Sequence, residues 1–347
     1  MKPVVIVGLS GGLDSFAAAL LLKREGFRII GLNLSLWKRN VLSETEELCR
    51  RLDIEPMTYD GRELFRQQVV LPFVSQYLAG RTPNPCALCN NTVKWRLLSD
   101  AADQSGAGYI ATGHYVRIKP WGKHYYVWKG IDPRKDQSYF LWGVGEEVLR
   151  RAYTPLGEYT KAEIRALAMR EGYEDMARKR ESMGICFLEG RDYREFIFRQ
   201  CGKKGIPQAG NIVDRNGNTL GRHTGLLNYT IGQTRDMPLI DGKRGYVAAM
   251  DYEKNTIEAD IREGLYTEGL YLENLRFIDP EEWAAEDIEI KIRGIGLNPA
   301  GFVRISPEGR GKWKVRLASP AWAVAPGQPA AFYRGERLIG GGTVRMK

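Results

Sequence analysis

Residues 4–26 read VVIVGLSGGLDSFAAALLLKREG, and this stretch decides the fold. Residues 4–9 form a short apolar run rich in β-branched side chains, which predicts a buried parallel strand. Residues 14–26 have helical periodicity and end in a glycine, which suits the first position beyond a helix. A strand joined to a helix by a glycine-rich turn predicts the first unit of an α/β domain.

The same alternation continues along the first half of the chain. Residues 28–36 and 108–114 resemble strands, whereas residues 43–54 and 92–107 have helical patterns, the first with Ser43 as its cap. This β-α-β-α order predicts a doubly wound parallel sheet. Its ligand site is expected at the carboxyl ends of the strands.

The pattern changes after about residue 200, where Gly and Asn turns separate short β-type runs. From residue 269 onward, short alternating segments with turn signals between them predict a small all-β barrel. We therefore predict three domains, at residues 1–205 (α/β), 206–265 (small, central and β-rich) and 266–347 (β-barrel).

Composition and charge narrow the function classes. The chain has 347 residues and a net charge of +9, with a pI of about 9.2, which favours a polyanionic partner such as nucleic acid. No apolar stretch approaches the roughly 20 residues that span a bilayer, and the N-terminal residues do not resemble a signal peptide. A cytoplasmic protein with no membrane partner is the expectation.

The turn after the first strand predicts an anion site. Small residues there allow the backbone to point its N–H groups at one place, and the following helix adds a partial positive charge. The turn has neither the Walker A ending nor the dinucleotide fingerprint. It resembles the loop of enzymes that split ATP into AMP and pyrophosphate, which implies ATP as cofactor. In addition, Asp14 can hold Mg²⁺. The loop residues are Gly8, Leu9, Ser10, Gly11, Gly12, Leu13, Asp14 and Ser15.

Two of the five cysteines, Cys86 and Cys89, form a C-x-x-C motif. Asn84 is a good N-cap and Pro85 suits the first helical position, so both thiols are expected in a first helical turn. Such a position lowers the pKa of a thiol and suits a nucleophile or a metal ligand. From spacing alone, two small buried residues remain an alternative.

Several longer motifs occur in order along the chain, and together with the SGGLDS loop they resemble the bacterial tRNA-specific 2-thiouridylases over nearly its full length. They are RTPNPCALCN (81–90), YIATGHYVRI (109–118), DPRKDQSYFLW (132–142), ESMGICFLEGRDYREFI (181–197), GRHTGLLNYTIGQ (221–233) and APGQPAAFYRGERLIGGG (325–342). The resemblance implies that ATP adenylates the C2 oxygen of the wobble uridine. A cysteine persulfide then delivers sulfur, and AMP leaves.

The resemblance also implies roles for individual residues. Leu34 and Gly113 are expected to join the loop in holding ATP. Cys89 is expected to face the base and Cys186 to hold the persulfide. The expected tRNA contacts are Asn84, Pro85, His114, Lys135, Asp136, Gln137, Arg293 and Gln328. The implied partners are tRNA and a sulfur donor such as a cysteine desulfurase or a relay protein.

Cys86 departs from the family, which usually has aspartate at this position. Two alternatives stay open. In one, the acid is dispensable and Cys86 is neutral; in the other, Cys86, Cys89 and Cys186 hold a 4Fe–4S cluster whose fourth iron binds the transferred sulfide. Structural zinc is less favoured, because four protein ligands are usual and only three are predicted to meet.

Two smaller departures from the family pattern concern residues that are expected to affect tRNA binding. Thr234 stands where the family usually has arginine, and Gly294 where tyrosine is usual. His124 and His223 are expected to be polar or packing residues, and Cys49 to be core; Cys201 has no motif. Two alternative functions remain: an enzyme of the same loop class that thiolates another tRNA position, and a non-catalytic tRNA-binding relative.

Overall fold

The structure is a computed structural model that describes residues 2–37, 42–181, 184–202, 208–294, 296–309 and 311–345. Five parallel strands form the first sheet, in the order β3-β2-β1-β4-β7. In chain order the first strands are β1 (Val4–Gly8), β2 (Arg28–Ser35), β3 (Glu55–Asp60), β4 (Tyr109–Ala111), β5 (Val116–Trp121), β6 (His124–Lys129) and β7 (Ala152–Tyr153). The order reverses between β1 and β4, where such sheets bind ligands.

Helices cover both faces of this sheet. Val5 and Val7 of β1 pack in one buried cluster with Phe16, whereas Ile6 points the other way into a cluster with Trp95. The predicted doubly wound fold is therefore confirmed. The helices are α1 (Leu13–Arg24), α2 (Leu42–Leu52), α3 (Arg62–Phe65), α4 (Leu71–Leu78), α5 (Pro85–Cys89), α6 (Trp95–Ser105), α7 (Glu146–Leu149), α8 (Lys161–Arg170), α9 (Glu174–Arg178) and α10 (Tyr193–Cys201).

The predicted helix boundaries differ from those observed in one instructive place. The first helix ends as expected, with Gly26 just beyond it at φ +91°. The helix predicted for residues 92–107 instead begins at Pro85, because α5 and α6 are joined by one wide π turn over Asn90–Lys94. The predicted cap at Ser43 concerns a side chain outside the described residues.

Strands of the second half form three further sheets, of which the smallest is the two-stranded pair β10-β11. They are β8 (Gly210–Val213), β9 (Thr219–His223), β10 (Leu239–Ile240), β11 (Lys243–Arg244), β12 (Tyr246–Asp251), β13 (Thr256–Asp260), β14 (Tyr266–Phe277), β15 (Glu289–Lys291), β16 (Arg304–Gly309), β17 (Lys312–Trp322), β18 (Pro329–Arg334) and β19 (Arg337–Arg345). A central four-stranded sheet has the order β12-β13-β8-β9. The barrel strands follow the order β15-β18-β19-β14-β17-β16.

The barrel sheet includes a hairpin from the first half of the chain. Strands β5 and β6 pair with each other, and β6 also pairs with β19 through Trp128 opposite Arg337 and Val127 opposite Leu338. The first half of the chain therefore contributes a hairpin to the barrel sheet, while its own five-stranded sheet remains separate. Within the described residues, no helix is both long and apolar enough to cross a membrane.

Candidate active site

A cavity of about 470 Å³ opens at the carboxyl ends of β1, β2 and β4, which is the size range of small-molecule sites. It lies at the reversal point of the strand order, as the sequence predicts. Its lining combines loop, strand-end and helix residues from distant parts of the chain. These are Gly8, Leu9, Ser10, Asp14, Ser15, Leu32, Asn33, Leu34, Leu36, Trp37, Lys94, Leu98, Thr112, Gly113, His114, Gln137, Cys186 and Glu189.

The loop after β1 is held by its own serines. The backbone N–H of Ser10 donates to Ser15 Oγ at 3.1 Å, and Ser15 Oγ donates to the Gly12 carbonyl at 3.1 Å. Gly11 has φ +75°, which favours glycine because side chains rarely adopt this conformation. The loop therefore wraps around the N-terminus of α1, where orphan N–H groups favour an anion.

Gly113 allows the β4 loop to approach this helix closely. A Cβ atom at Gly113 would lie 2.6 Å from the Asp14 carbonyl carbon and 2.7 Å from Ser15 N. Both are backbone atoms, so neither can move without shifting the loop. The position expected from the family resemblance therefore has a direct steric explanation.

Asp14 belongs to an ionic network that the sequence did not predict. Its Oδ1 accepts from Tyr115 Oη at 2.8 Å and pairs with Lys161 Nζ at 2.6 Å. Lys161 is buried and also lies 3.2 Å from Glu181. Hydrogen bonds from Lys135, and then from Lys161, lower the pKa of Glu181.

Lys161 owes its place to the start of α8. Thr160 and Glu163 form a capping box there, with Thr160 accepting from Glu163 N, so Lys161 occupies the first helical position. Lys161 and Asp14 lie 147 residues apart. Nothing in the sequence pattern indicated that this lysine meets the loop.

The cysteine motif begins a helix as predicted. Asn84 Oδ1 accepts from Ala87 N at 3.0 Å and caps α5, and Pro85 takes the first helical position. Cys86 is exposed, whereas Cys89 is buried. At the start of the wide turn, Asn90 Nδ2 donates to the Cys86 carbonyl at 3.0 Å, which also accepts from the backbone N–H of Asn90.

The expected low thiol pKa is wrong for this site. Burial raises the pKa of Cys89 to about 11, and the pKa values of Cys86 and Cys186 are also raised, chiefly by desolvation. Cys86 and Cys186 expose part of their surface, yet the protein around their sulfur atoms excludes enough water to disfavour the thiolate. This desolvation outweighs the favourable helix N-terminus.

Lys94 opposes this effect, and the sequence did not single it out. It lines the cavity five residues after Cys89, and its charge lowers the pKa of all three thiols. Within the part of the chain that the structure describes, Lys94 forms no ion pair. The charges of Cys86 and Cys186 in turn raise the pKa of Cys89, so the three cysteines share one electrostatic neighbourhood.

The next feature is whether the described residues can hold the two predicted metal centres, the iron–sulfur cluster and Mg²⁺. Among the described residues, no three Cys, His, Asp or Glu side chains are close enough to hold one ion. Asp14, the predicted Mg²⁺ ligand, has its Oδ1 in contact with the cationic Lys161. As placed, the described residues do not fit the predicted cluster, and both metal sites remain predictions from the sequence.

Two of the predicted tRNA-contacting residues of the first half, His114 and Gln137, line the cavity. His114 is buried, stacks on Trp95 and bonds Thr112 Oγ1 through Nδ1 at 2.7 Å. Desolvation, together with the charge of Lys94, lowers the pKa of His114 well below its ordinary value. Gln137 lines the cavity and accepts from Tyr115 N at 2.8 Å. Both residues are therefore placed to shape the cavity itself.

Lys135 and Asp136 have protein partners. Lys135 pairs with Glu181. The Asp136 carboxylate accepts from Ser138 N at 3.1 Å and pairs with Lys291 of the barrel at 3.3 Å, and its side chain is only 6% exposed. Asp136 therefore joins the α/β half to the barrel, and its predicted tRNA contact is untested.

The predicted contacts of the barrel are also engaged internally. Arg293 donates to the carbonyls of Trp322 and Ala323, each at 2.6 Å. Gln328 Nε2 donates to the Thr82 carbonyl at 2.6 Å, and Thr82 N donates to the Pro326 carbonyl at 2.7 Å. The barrel turn 325–328 thus holds the segment that leads into the cysteine helix.

The remaining cysteines and histidines lie outside the cavity lining, in the core, in polar contacts or at a helix end. Cys49 is buried, and burial raises its pKa to about 11, which agrees with the core position predicted for it. His124 Nδ1 lies 2.7 Å from Glu146, and His223 bonds the Asn255 carbonyl at 3.0 Å. Cys201 ends α10.

Fold and cavity together define a doubly wound α/β protein with an anion loop at the strand reversal and thiols beside the same cavity. Comparison with known proteins identifies the family to which the chain belongs. Family models match residues 3–190 (tRNA methyl transferase HUP domain), 195–258 (tRNA methyl transferase PRC-barrel domain) and 267–344 (aminomethyltransferase beta-barrel domain). The chain belongs to the tRNA-specific 2-thiouridylase family.

Three curated relatives support this assignment. tRNA-specific 2-thiouridylase MnmA 3 of Bacteroides fragilis is 39% identical, over 98% of this chain and 93% of its own. tRNA-specific 2-thiouridylase MnmA 1 of Caldanaerobacter subterraneus is 39% identical, over 99% of this chain and 98% of its own. tRNA-specific 2-thiouridylase MnmA 2 of Phocaeicola vulgatus is 37% identical, over 98% of this chain and 97% of its own. The similarity therefore spans all three regions of the chain.

Proposed function

We propose that this protein is an ATP-dependent tRNA sulfurtransferase that converts the wobble uridine to 2-thiouridine. One observation supports this most directly: Cys186 lines the same cavity as Ser10 and Asp14 of the anion loop. A nucleotide held by the loop therefore lies within reach of a sulfur-bearing side chain. The names of the relatives, all tRNA-specific 2-thiouridylases, agree with this reaction.

The first step is activation of the base. We propose that the N–H groups of the loop and the N-terminus of α1 hold the phosphates of ATP, with Leu34 and Gly113 shaping the nucleotide pocket. The uridine C2 oxygen attacks the α-phosphate and pyrophosphate leaves. Adenylation turns a poor leaving oxygen into AMP, which is a good leaving group. Mg²⁺ is proposed to accompany ATP.

The second step is sulfur transfer. A sulfur donor, such as a cysteine desulfurase or a relay protein, loads a persulfide on Cys186. Its terminal sulfur attacks C2, the C2–O bond breaks, and AMP leaves. The Cys89 thiolate then attacks the inner sulfur of Cys186 and breaks the S–S bond. This leaves 2-thiouridine and a Cys89–Cys186 disulfide, which an external thiol reductant must reduce.

The substrate base must leave its stack to reach this site. We propose that Asn84 and Pro85 border the extruded base, with residues 1–205 as the catalytic domain, 206–265 as the central domain and 266–347 as a tRNA-contacting barrel. A cytoplasmic location is proposed with this role. Thiolation of another tRNA position by the same chemistry is the alternative that the test must separate.

The test is reconstitution with tRNA transcript, ATP and a persulfide donor. Wild-type protein is expected to form AMP and 2-thiouridine, which nucleoside mass spectrometry detects and fragment analysis locates. Cys186→Ser and Cys89→Ser are expected to abolish thiolation, whereas Cys201→Ser keeps it. Sulfur at a position other than the wobble uridine, or none with wild type, would defeat the proposal.

The cluster predicted from Cys86 needs its own measurement. Iron and sulfide analysis of anaerobically purified protein, beside Cys86→Asp, separates the two sulfur routes. Under the persulfide route, iron-free protein thiolates at full rate and Cys86→Asp remains active. Stoichiometric iron, lost together with activity in Cys86→Asp, would favour the cluster.

A further inference from the structure

Glu189 has a backbone conformation that glutamate rarely adopts. Its φ is 52° and its ψ is 38°, in the left-handed region where a Cβ atom crowds the following carbonyl oxygen. Among the described residues, five of the seven non-glycine residues with positive φ are Asp or Asn, whose short polar side chains bond the local backbone and tolerate this region. Glutamate lacks that help. Strain of this kind is typical of functional sites, so the side chain of Glu189 is a candidate for a role in the cavity.

A single 3-10 turn places Glu189 beside Cys186. The turn spans Cys186–Leu188, and Glu189 follows it directly. A 3-10 helix has three residues per turn, so positions three apart lie on the same side. Both Cys186 and Glu189 line the cavity at the carboxyl ends of the parallel strands.

The middle of this turn is anchored in the protein core. Phe187 and Leu188 are buried in one apolar cluster, and the ring of Phe187 lies 5.1 Å from that of Phe73, centroid to centroid. The turn therefore has its middle in the core and its two ends at the cavity. A packed element of this kind fixes the positions of Cys186 and Glu189 relative to each other.

Two carboxylates line the cavity among the described residues, and they lie on different elements. Asp14 belongs to the anion loop, where Lys161 contacts its Oδ1 at 2.6 Å. Glu189 lies on the turn of Cys186, the cysteine proposed to carry sulfur. Its side chain is 22% exposed, and its Oε2 pairs with Arg191 at 3.3 Å. Asp14 is thus placed at the phosphates, and Glu189 at the site of sulfur transfer.

His114 is the other cavity residue that could accept a proton. It is buried, and desolvation, together with the charge of Lys94, lowers its pKa well below the ordinary value. Its imidazole therefore binds a proton weakly. A carboxylate that is already anionic is better suited to this task.

The proposed reaction needs such a proton acceptor at the base. The C2 oxygen of a neutral uridine is a weak nucleophile, and the neighbouring N3 carries a hydrogen. Removal of this proton gives an anion shared between N3 and the C2 oxygen, which attacks phosphorus more readily. The product, 2-thiouridine, has a hydrogen on N3 again. One group that takes the proton and later returns it therefore serves both steps.

We infer that Glu189 is a catalytic residue, the general base that takes the N3 proton of the uridine during adenylation and returns it after sulfur transfer. This rests on the proposed function and adds a residue to it. In the first step the N3–H bond breaks, the proton moves to the Glu189 carboxylate, the C2 oxygen bonds to the α-phosphorus, and pyrophosphate leaves. In the second step sulfur replaces oxygen at C2 and AMP leaves. Once the S–S bond breaks, the anion shared between sulfur and N3 takes the proton back.

The first test isolates adenylation by leaving out the sulfur donor. With tRNA transcript and ATP in a single turnover, wild type is expected to release pyrophosphate, and Glu189→Gln to do so about 100-fold more slowly. Glu195→Gln removes the same charge at an exposed position of α10 and is expected to behave as wild type. A wild-type rate in Glu189→Gln, or an equal loss in Glu195→Gln, would overturn the inference.

Glycine at position 189 separates catalysis from structural support. Glu189→Gly removes the carboxylate together with the Cβ atom that the left-handed conformation disfavours. We expect its urea midpoint to be no lower than that of wild type, and its slow pyrophosphate release to be accelerated by added formate but not by chloride at the same ionic strength. A lower midpoint without rescue by formate would assign Glu189 a structural role and overturn the inference.

The two proposals fail in different ways. Wild-type protein that forms neither AMP nor 2-thiouridine with a persulfide donor would refute the proposed function, and the role of Glu189 with it. Active wild type beside an equally fast Glu189→Gln would refute the role of Glu189 alone.

Discussion

At the scale of single residues, Lys94 lines the cavity and acts electrostatically on the thiols beside it. The three cysteines sit in surroundings that raise their pKa values, and Lys94 lowers all three. Desolvation of the sulfur atoms leaves few thiolates near neutral pH. The positive charge of Lys94 therefore offsets part of the rise in thiol pKa that desolvation causes.

We expect Lys94→Met to slow alkylation of Cys86, Cys89 and Cys186 by roughly 10-fold at pH 8. Removing the cation raises the thiol pKa values, so each alkylation profile moves to higher pH. Peptide-resolved mass spectrometry after iodoacetamide measures the rates, with Cys201 as internal reference. Lys94→Arg keeps the charge and is expected to react like wild type; an equal slowing of both variants would contradict the electrostatic explanation.

Gly113 gives a steric prediction at the nucleotide loop. A Cβ there would meet Asp14 and Ser15 backbone atoms at 2.6–2.7 Å, so Gly113→Ala must push the loop aside. We expect a loss of about 1–3 kcal/mol in the free energy of unfolding, measured by urea denaturation, and weaker ATP binding. Gly108→Ala is the control, because a Cβ at Gly108 meets no atom within 4 Å. Equal stability of the two variants would count against the close approach.

At the scale of elements, the cysteine helix depends on its cap. Asn84→Ala removes the acceptor of Ala87 N and is expected to cost about 1 kcal/mol in unfolding free energy. Asn84→Ser caps equally well, so calorimetry and urea denaturation should find it near wild type.

The same pair of variants separates capping from a contact with the base. If Asn84 acts only as a cap, Asn84→Ser thiolates normally. If it also borders the base, Asn84→Ser is stable but slow. A stable Asn84→Ala protein would show that the cap is not needed.

Sequence reasoning was most reliable where the determinants are local. The strand of Val4–Gly8, the glycine-rich turn, and the cap and proline of α5 each depend on a few adjacent residues, and the structure has them where predicted. The thiol pKa values were predicted wrongly. A helix N-terminus is visible in a motif, but the desolvation by the surrounding protein depends on the whole fold.

Long-range partners could not be predicted. Nothing in the sequence pairs Lys161 with Asp14, or Gln328 with Thr82, because each pair joins elements that are far apart in the sequence and meet only in the folded protein. The hairpin β5–β6 is a similar case. Its pairing with β19 depends on how the barrel packs against the α/β half.

At the scale of the whole molecule, the pairing of β6 with β19 predicts that the hairpin and the barrel lose stability together. Ile339 of β19 is fully buried in the barrel core and neighbours Leu338, which pairs with Val127 of β6. We expect Ile339→Ala to cost about 2–5 kcal/mol. Hydrogen exchange should then accelerate in peptides from β5 and β6 as well as from the barrel, whereas β1 changes less. Wild-type protection in β6 would show that the two halves are energetically separate.

The contact between Gln328 and Thr82 also sets an order of events during synthesis. The two residues lie 246 positions apart, so the ribosome makes the cysteine motif long before it makes the turn that anchors the segment in front of it. A nascent chain can complete its nucleotide loop while the thiols still await their final support. The segment in front of the two cysteines is thus anchored only when the chain is nearly complete.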